Sequence, residues 1–287
     1  MTTTATPPTI SAPLPTRSPR AQRVSVVPTL AIRRLTLTVR TPRSLIAPLL
    51  TPVLFAIVIA PALANTIAAP GKQGAYMTYI ALATAGLLIP LNCMFSGIGV
   101  IVDREHGATR ELLVAPIRRS SIVVGNLVAA LATTALQMVV LIAASALRGA
   151  TYVTGSGTLW FVTAAFLLAV VMYGVAEILA TRVPSPEAYI AALPAIAIVP
   201  FFFAGSLFPL TSLPHWLAGV AKVLPLTHAL ALFRYGLTPA SGATALHNIW
   251  GGHDTTMMAA MSLAVVAAYA VLVTRVAIRL FTRAGKS

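Results

Sequence analysis

Charge is the first thing that this sequence has little of. Only 9% of its 287 residues are charged and 57% are hydrophobic, and the mean hydropathy is +0.87. Soluble globular domains use about 25% charged residues, so this composition lies far outside their range. The shortage of charge argues against a soluble enzyme or binding domain, and lipid is the expected solvent for most of the chain.

Cysteine and recognisable catalytic motifs are equally scarce. The single Cys93 excludes an intramolecular disulfide, and it is expected to be a small buried hydrophobe. A phosphate-binding loop needs Gly-Lys-Ser/Thr, but the only Gly-Lys pair, Gly71-Lys72, continues with Gln. We therefore predict no catalytic residue and no bound cofactor. We also predict no metal, because the external histidines lack helical ligand spacing: they are His215, His228, His247 and His253.

Long runs without charge are what the sequence does contain. A helix needs about 20 apolar residues to cross a hydrocarbon core of roughly 30 Å. Six such runs predict an all-α, polytopic membrane protein with six transmembrane helices. The predicted spans are residues 45–67, 75–101, 121–146, 158–180, 188–209 and 256–280.

The distribution of the 20 basic residues decides between a nucleic-acid partner and a membrane. Most of them precede span one, follow span six, or lie in the loops after spans two and four. Only Lys72, Arg148, Lys222 and Arg234 fall on the other side. Because basic loops resist translocation, the side rich in arginine, with both termini, is predicted to be cytoplasmic. Nucleic acid is not a predicted partner.

The chain begins with residues rich in Thr, Pro and Ser, and residues 1–23 predict a disordered cytoplasmic tail before a transmembrane domain at 24–287. Between Val24 and Arg43, apolar residues are interleaved with arginines. This pattern favours a helix lying in the membrane interface. A basic linker that only fixes topology is an alternative of equal weight.

Two polar residues stand inside apolar runs. Asn92 is expected to form hydrogen bonds between helices. Glu177 is the only acid within a hydrophobic segment, and it lies near Arg182 at the predicted cytoplasmic end. We therefore expect an interfacial ion pair between Glu177 and Arg182 rather than a proton relay.

The stretch from about residue 205 to 254 is too long for a simple loop and too apolar for a soluble domain. Ser212 and Pro214 predict a helix start, Pro225 predicts a stop, and Thr227 predicts the N-cap of a second helix. Two such short helices predict a re-entrant hairpin at 205–236, between spans five and six. An amphipathic hairpin on the outer surface stays open as an alternative. The candidate residues of this region are Pro209, Pro214, Trp216, Pro225 and Arg234.

The loop after span two, residues 103–119, contains three of the six acids in the chain. Glu105, Arg110 and Glu111 place opposite charges on a short helical segment, and Leu112 and Leu113 follow as apolar anchors. A short helix with both features is suited to docking on a partner. A solvated loop with local ion pairs is the alternative.

This loop resembles that of ABC-2 type transporter permeases, in which an acid-rich stretch with Gly and Leu-Leu precedes a Pro and a basic pair. The matching residues are Glu105, Gly107, Glu111, Leu112, Leu113 and Pro116, with Gly125 at the start of the next span. Residues 208–216 and 224–234 resemble the re-entrant region of the family. Residues 40–44 are similar to the start of its daunorubicin-resistance (DrrB-like) branch. The resemblance covers roughly residues 25 to 285.

The resemblance implies a permease subunit that pairs with a second copy or a sister permease. Two copies of a separate ATP-binding cassette subunit would hold the ATP and Mg, so this chain is expected not to be an enzyme. The loop would carry a coupling helix, with Glu105, Arg110 and Glu111 as charged contacts and Leu112 and Leu113 as apolar anchors. His106 and the long Pro/Thr-rich tail depart from the family pattern.

The function that follows is export of an amphiphilic drug, antibiotic or lipid across a bacterial cytoplasmic membrane, the host being suggested by the excess of arginine over lysine. A glycolipid or polysaccharide exporter is the alternative within the family. A membrane-embedded lipid-modifying enzyme is the alternative from another class, but it would need several ionisable residues on one membrane face. A secondary transporter would need titratable groups that the spans lack.

Overall fold

The computed structural model describes residues 19–40, 50–51, 53–68, 71–105, 107 and 119–284, and this part of the chain contains helices and no strand. In chain order the helices are α1 (Pro19–Arg40), α2 (Phe55–Ile67), α3 (Gln73–Glu105), α4 (Arg119–Leu147), α5 (Thr158–Arg182), α6 (Pro186–Phe203), α7 (His215–Val223), α8 (Pro225–Leu237), α9 (Pro239–Trp250) and α10 (Thr255–Ala284). A single 3-10 turn, Leu210–Ser212, lies between α6 and α7.

Five of these helices, α3, α4, α5, α6 and α10, are long and apolar enough to cross a membrane. The predicted all-helical, multi-span fold class is therefore confirmed. The first predicted span is described only in part, because residues 45–49 and 52 lie outside the described residues and α2 is a shorter apolar helix. The fifth span ends at Phe203 rather than at residue 209, and a turn follows it.

The spans alternate in direction, so the bundle has two ends. At the loop end, α3 finishes, α4 begins, and residues 183–185 join α5 to α6. At the hairpin end lie residues 148–157, the turn after α6, and α9. The backbone N–H of Val153 donates to Leu237 O at 2.9 Å there, so the loop before α5 is bonded to the end of α8.

Helix α5 forms the centre of the bundle, because α3, α8 and α10 all pack against it. Small residues on α5 allow this close packing, and Ala164, Ala169 and Ala176 are buried. A Cβ atom at Gly174 would lie 2.6 Å from Cγ1 of Val273 on α10. This contact between α5 and α10 thus depends on the absence of a side chain at Gly174.

Helices α7 and α8 form a hairpin bent by 81°. Every face of α8 is covered, since nearly all its residues are buried. The Tyr269 hydroxyl, midway along α10, donates to Val223 O at the bend at 3.1 Å. The bend therefore lies alongside the middle of a long span, and by length and composition the bent pair is either a broken span or a re-entrant loop.

Two details of the hairpin differ from the sequence-based expectation. Thr227 is not an N-cap, because α8 already begins at Pro225; its hydroxyl donates to Ala221 O at 2.6 Å. Proline suits the first position of a helix, where its missing N–H has no partner to lose, so Pro225 ends α7 and also starts α8. In addition, α9 follows α8 directly, and the sequence analysis predicted no helix there.

Helix α1 begins at Pro19, so it includes the last residues of the stretch predicted as a tail. The rest of that stretch lies outside the described residues. Helix α1 packs against the start of α4, where Leu30 Cβ would be 2.7 Å from a Cβ atom at Gly125. The Gly125 position thus allows α1 to approach the third span closely.

Candidate functional site

The structure describes the two ends of the predicted coupling loop. Glu105 is the last residue of α3 and is exposed. Gly107 has a φ of 77°, a left-handed conformation that suits glycine just after a helix end. Its N–H donates to Arg104 O at 3.2 Å. The other candidate residues, Arg110, Glu111, Leu112, Leu113 and Pro116, lie outside the described residues.

An ion pair joins helix α1 to the start of this loop. Arg34 Nη1 lies 2.8 Å from Asp103 Oδ2, and the two side chains are only 17% and 20% exposed. Arg34 Nη2 also donates to Ser96 O at 3.4 Å. Partial burial protects the pair from the screening that makes exposed pairs weak. The sequence analysis offered an interfacial helix or a basic linker for the segment that contains Arg34, and it did not predict this partner.

A glycine creates the space for the Arg34 side chain. A Cβ atom at Gly99 would lie 1.6 Å from Arg34 Nη2, so the guanidinium group lies directly over the backbone of α3. Gly99 and Asp103 are one helical turn apart and share a face. The i, i+4 spacing of a glycine and an acid was the signal in the sequence that could have revealed this contact.

The next residue, Arg104, bonds to a different part of the bundle. Its Nη1 donates to Ala180 O at 3.2 Å, and its Nη2 donates to Val183 O at 2.8 Å and to Pro184 O at 3.1 Å. The last carbonyls of a helix have no partner within that helix, and a cation there also suits the helix dipole. Arg104 therefore caps α5 and fixes the turn that leads to α6.

Asp103 and Arg104 are adjacent and bond in two directions, one to α1 and the other to the turn between α5 and α6. We call the three residues Arg34, Asp103 and Arg104 the loop-end clamp. The loop-end clamp thus connects the end of α3 to α1, to α5 and to the turn before α6.

Glu177 lies on α5 about one turn before Ala180, which Arg104 of the loop-end clamp contacts, and it is completely buried. The Tyr173 hydroxyl donates to its Oε2 at 2.9 Å, whereas Oε1 has no hydrogen-bond partner among the described residues. The expected ion pair with Arg182 is wrong: Arg182 is exposed, and the spacing of five residues places the two side chains on different faces of α5. Glu177 is thus a buried core acid.

Polar contacts also join the spans farther from the loop end. Asn92 Nδ2 on α3 donates to Thr134 Oγ1 on α4 at 2.6 Å, which confirms the interhelical hydrogen bond expected for Asn92. The Tyr189 hydroxyl on α6 donates to Met94 O on α3 at 2.8 Å. Helix α3 is therefore bonded to both α4 and α6 as well as to α1.

A groove of about 630 Å³ opens between α1, α3 and α4 near the loop end. Arg34, Ser96 and Asn126 contribute polar groups to its lining, and Phe95 and Val102 contribute exposed apolar surface. A groove with both kinds of lining matches a molecule that has a polar group attached to an apolar body.

The predicted residues of the hairpin region occupy distinct positions. Pro209 precedes the 3-10 turn, Pro214 caps the start of α7, and Pro225 opens α8. Trp216 on α7 is 72% exposed and faces away from the bundle. Arg234 on α8 is buried, so these residues do not form one cluster.

Five long apolar helices and a bent apolar hairpin define a multi-pass membrane protein. The ABC-2 type transporter family model matches residues 26–238, which include most of α1, the loop-end clamp and the hairpin. The chain therefore belongs to the ABC-2 type transporter family, whose members generally work with a separate ATP-binding subunit.

Two curated relatives are similar over the same share of the chain. The protein named "Putative transport permease ycf38" of Porphyra purpurea is 28% identical over 211 residues, which is 71% of this chain and 71% of the relative. The protein of the same name from Pyropia yezoensis is 29% identical over 213 residues, again 71% of each. Both names and the family point to a transport subunit.

Proposed function

We propose that this chain is the permease subunit of an ATP-driven exporter that moves an amphiphilic drug, antibiotic or lipid out of a bacterial cell. ATP and Mg would be held by two copies of a separate ATP-binding cassette subunit, and the permease would pair with a second copy or a sister permease. Family membership supports the permease role, and the remaining steps rest on the geometry of the loop end.

The loop-end clamp is the observation that carries the proposal. An ATP-binding subunit docked on residues 103–119 would push or pull the end of α3. Because Asp103 bonds to Arg34 at 2.8 Å and Arg104 bonds to Val183 O at 2.8 Å, that displacement reaches α1 and the α5–α6 turn together.

The proposed orientation places the loop end in the cytoplasm. Arg275, Arg279 and Arg283 extend α10 at that end, next to Arg104 and Arg182. A concentration of basic residues at one end of a helical bundle supports a cytoplasmic location for that end. It would also attract the anionic lipids of the inner leaflet.

The proposed substrate class rests on the groove between α1, α3 and α4. Its polar part near Arg34 would hold a headgroup, and the apolar part near Phe95 would hold a lipid-like body. This division favours an amphiphile over a polysaccharide, which would need a polar path along its length. The groove gives no support to a lipid-modifying enzyme, because no carboxylate among its lining residues could act as an acid or base.

The proposal is tested by purifying the tagged full-length chain from its native host and measuring which ATP-binding subunit co-purifies, and whether the complex hydrolyses ATP. We expect the Glu105→Ala/Glu111→Ala variant to lose both properties. Glu187→Ala is the matched control, since Glu187 is another exposed acid near the loop end but outside the loop. Retention of the subunit and of hydrolysis by the double variant would refute the role of the loop.

A further inference from the structure

A cavity of about 220 Å³ lies at the hairpin end, remote from the loop-end clamp. Its walls come from α8, from α9 and from the turn after α6. Arg234 and Tyr79 are among the lining residues, with Thr227 nearby. Neither the family match nor the coupling loop explains a charged side chain in this position.

Arg234 is buried, with 5% of its surface exposed. Its Nη1 donates to Gly205 O at 2.9 Å, and its Nη2 donates to Ser206 O at 2.8 Å. The guanidinium carbon lies 4.0 Å from the centre of the Tyr79 ring. Nε has no hydrogen-bond partner among the described residues. The carbonyls and the ring offer partial negative charge only.

Among the residues that the structure describes, no carboxylate balances this cation. Of the six acids in the chain, Asp254 is the only one located between α6 and α10. Its Oδ1 accepts the backbone N–H groups of Thr256 and Met257 at 2.9 and 3.1 Å, so it caps α10. The one ion pair in the described part of the chain is Arg34 with Asp103. A buried cation without a counter-charge is costly, which favours an anion from outside the chain.

The opposite wall of the cavity supplies hydrogen-bond donors. Ser241, Thr244 and Asn248 lie on one face of α9 and line the cavity, and they are not fully buried. The Asn248 amide can donate to the oxygens of an anion, while Arg234 supplies the charge. The Ser241 and Thr244 hydroxyls donate to Thr238 O and Ala240 O at 3.1 and 3.2 Å, so they would donate to an anion by turning away from these carbonyls. Ser241 also lies in the first turn of α9, where the helix dipole favours negative charge.

We propose that this cavity binds a phosphate group through Arg234, Ser241, Thr244 and Asn248. The phosphate can belong to the headgroup of an anionic lipid or to a free ion, and both would use the same donors. The site is a property of the chain by itself and needs no ATP-binding subunit. Its test is therefore independent of the proposed export function.

The competing explanation is that Arg234 only fastens the turn at Gly205 and Ser206 to α8. A test must therefore separate the fastening from the binding. Arg234→Gln removes both the hydrogen bonds to the turn and the charge that would bind an anion. Ala245→Leu leaves the guanidinium and its carbonyl partners intact but fills the cavity, since Ala245 lines it. Arg148→Gln is the matched control, because Arg148 is an exposed arginine at the same end of the bundle.

The experiment measures the thermal unfolding midpoint of the full-length chain in neutral detergent by intrinsic tryptophan fluorescence. The probes are inorganic phosphate, dihexanoyl phosphatidylglycerol and, as the neutral comparison, dihexanoyl phosphatidylcholine. We expect an anionic probe to raise the midpoint of the wild type and of Arg148→Gln by several degrees. The same probe is expected to cause no shift in the unfolding midpoint of Arg234→Gln or Ala245→Leu, whatever the midpoint of each variant without the probe.

The pattern of responses decides the outcome. A response to inorganic phosphate identifies a free ion as sufficient, and a response to phosphatidylglycerol alone identifies a lipid headgroup; both support the site. Equal responses to phosphatidylglycerol and phosphatidylcholine would overturn it, because charge would then be irrelevant. The site would also be overturned if the probe raised the midpoint of Ala245→Leu as much as that of the wild type, or if no probe raised the midpoint of the wild type.

Discussion

Gly157 and Gly236 touch through their backbones: a Cβ atom at either position would lie 2.7 Å from the carbonyl oxygen of the other. The contact joins the start of α5 to the end of α8. At Gly236 an added Cβ would also lie 2.8 Å from the backbone nitrogen of Phe161. Backbone cannot move aside as a flexible side chain can, so this contact fixes how closely the hairpin packs against the central helix.

Gly236→Ala is therefore expected to destabilise the chain by about 1–3 kcal/mol, the usual range for overpacking. Gly219→Ala on α7 is the matched control, because nothing lies within 4 Å of a Cβ atom there. Alanine is a better helix former, so this control should be neutral or stabilising by up to about 1 kcal/mol. Chemical unfolding in detergent measures both, and equal midpoints would contradict the backbone contact.

The ion pair between Arg34 and Asp103 predicts coupled effects of substitution. Arg34→Gln and Asp103→Asn should each lower ATP-dependent transport in the assembled complex, and the double variant should be little worse than either single one. A coupling energy of about 0.5–3 kcal/mol in thermal or chemical unfolding is expected for such a contact. Arg33→Gln is the control, since Arg33 is exposed on the same helix. Strict additivity would disprove the pairing.

Gly99→Ala tests the same contact from the side of α3. The added methyl group would occupy the position of Arg34 Nη2, which is the far end of a flexible side chain. The helix should therefore remain folded while the guanidinium moves away and the ion pair breaks. We expect this variant to reproduce the transport defect of Arg34→Gln and to add nothing in combination with it. A full extra defect in the combination would indicate another role for Gly99.

The capping role of Arg104 is predicted to depend on the shape of its guanidinium group as well as on its charge. Lysine would keep the charge but not the planar fork that reaches Ala180, Val183 and Pro184 together, so Arg104→Lys should resemble Arg104→Gln. Each lost hydrogen bond is worth about 0.5–1.5 kcal/mol. Arg182→Lys is the control, because Arg182 is exposed nearby. Amide hydrogen exchange of Val183 and Ser185 reports the effect, and unchanged protection in Arg104→Lys would contradict it.

Much of the fold could be read from the sequence, because apolar length and the location of arginines are local properties. The five long helices lie close to their predicted ranges, and the hairpin lies between the fifth and last spans. The error at Thr227 was also local: a threonine two residues after Pro225 suits an N-cap, but proline at the first helical position had already started α8. Helix α9 was missed because the sequence analysis took the hairpin to be complete by residue 236.

The sequence allowed only part of the candidate site to be predicted. Glu105 and Gly107 were proposed from their place in the loop, whereas the segment of Arg34 was interpreted as an interfacial helix or a basic linker. Nothing local distinguishes an arginine that reaches lipid phosphate from one that reaches Asp103, since the two residues are 69 positions apart. Glu177 was paired with the nearest cation along the chain, and packing instead buried it with Tyr173.

The sequence by itself determined that this chain lies in a membrane, which end of it is basic, and where the long helices run, because burial in lipid requires apolar length and little charge. Only the tertiary structure decided which polar groups meet. Long-range pairs such as Arg34 with Asp103, or Arg234 with the turn at Gly205, depend on how closely glycine and alanine positions let the helices approach. That closeness is a property of the assembled bundle, and no single segment contains it.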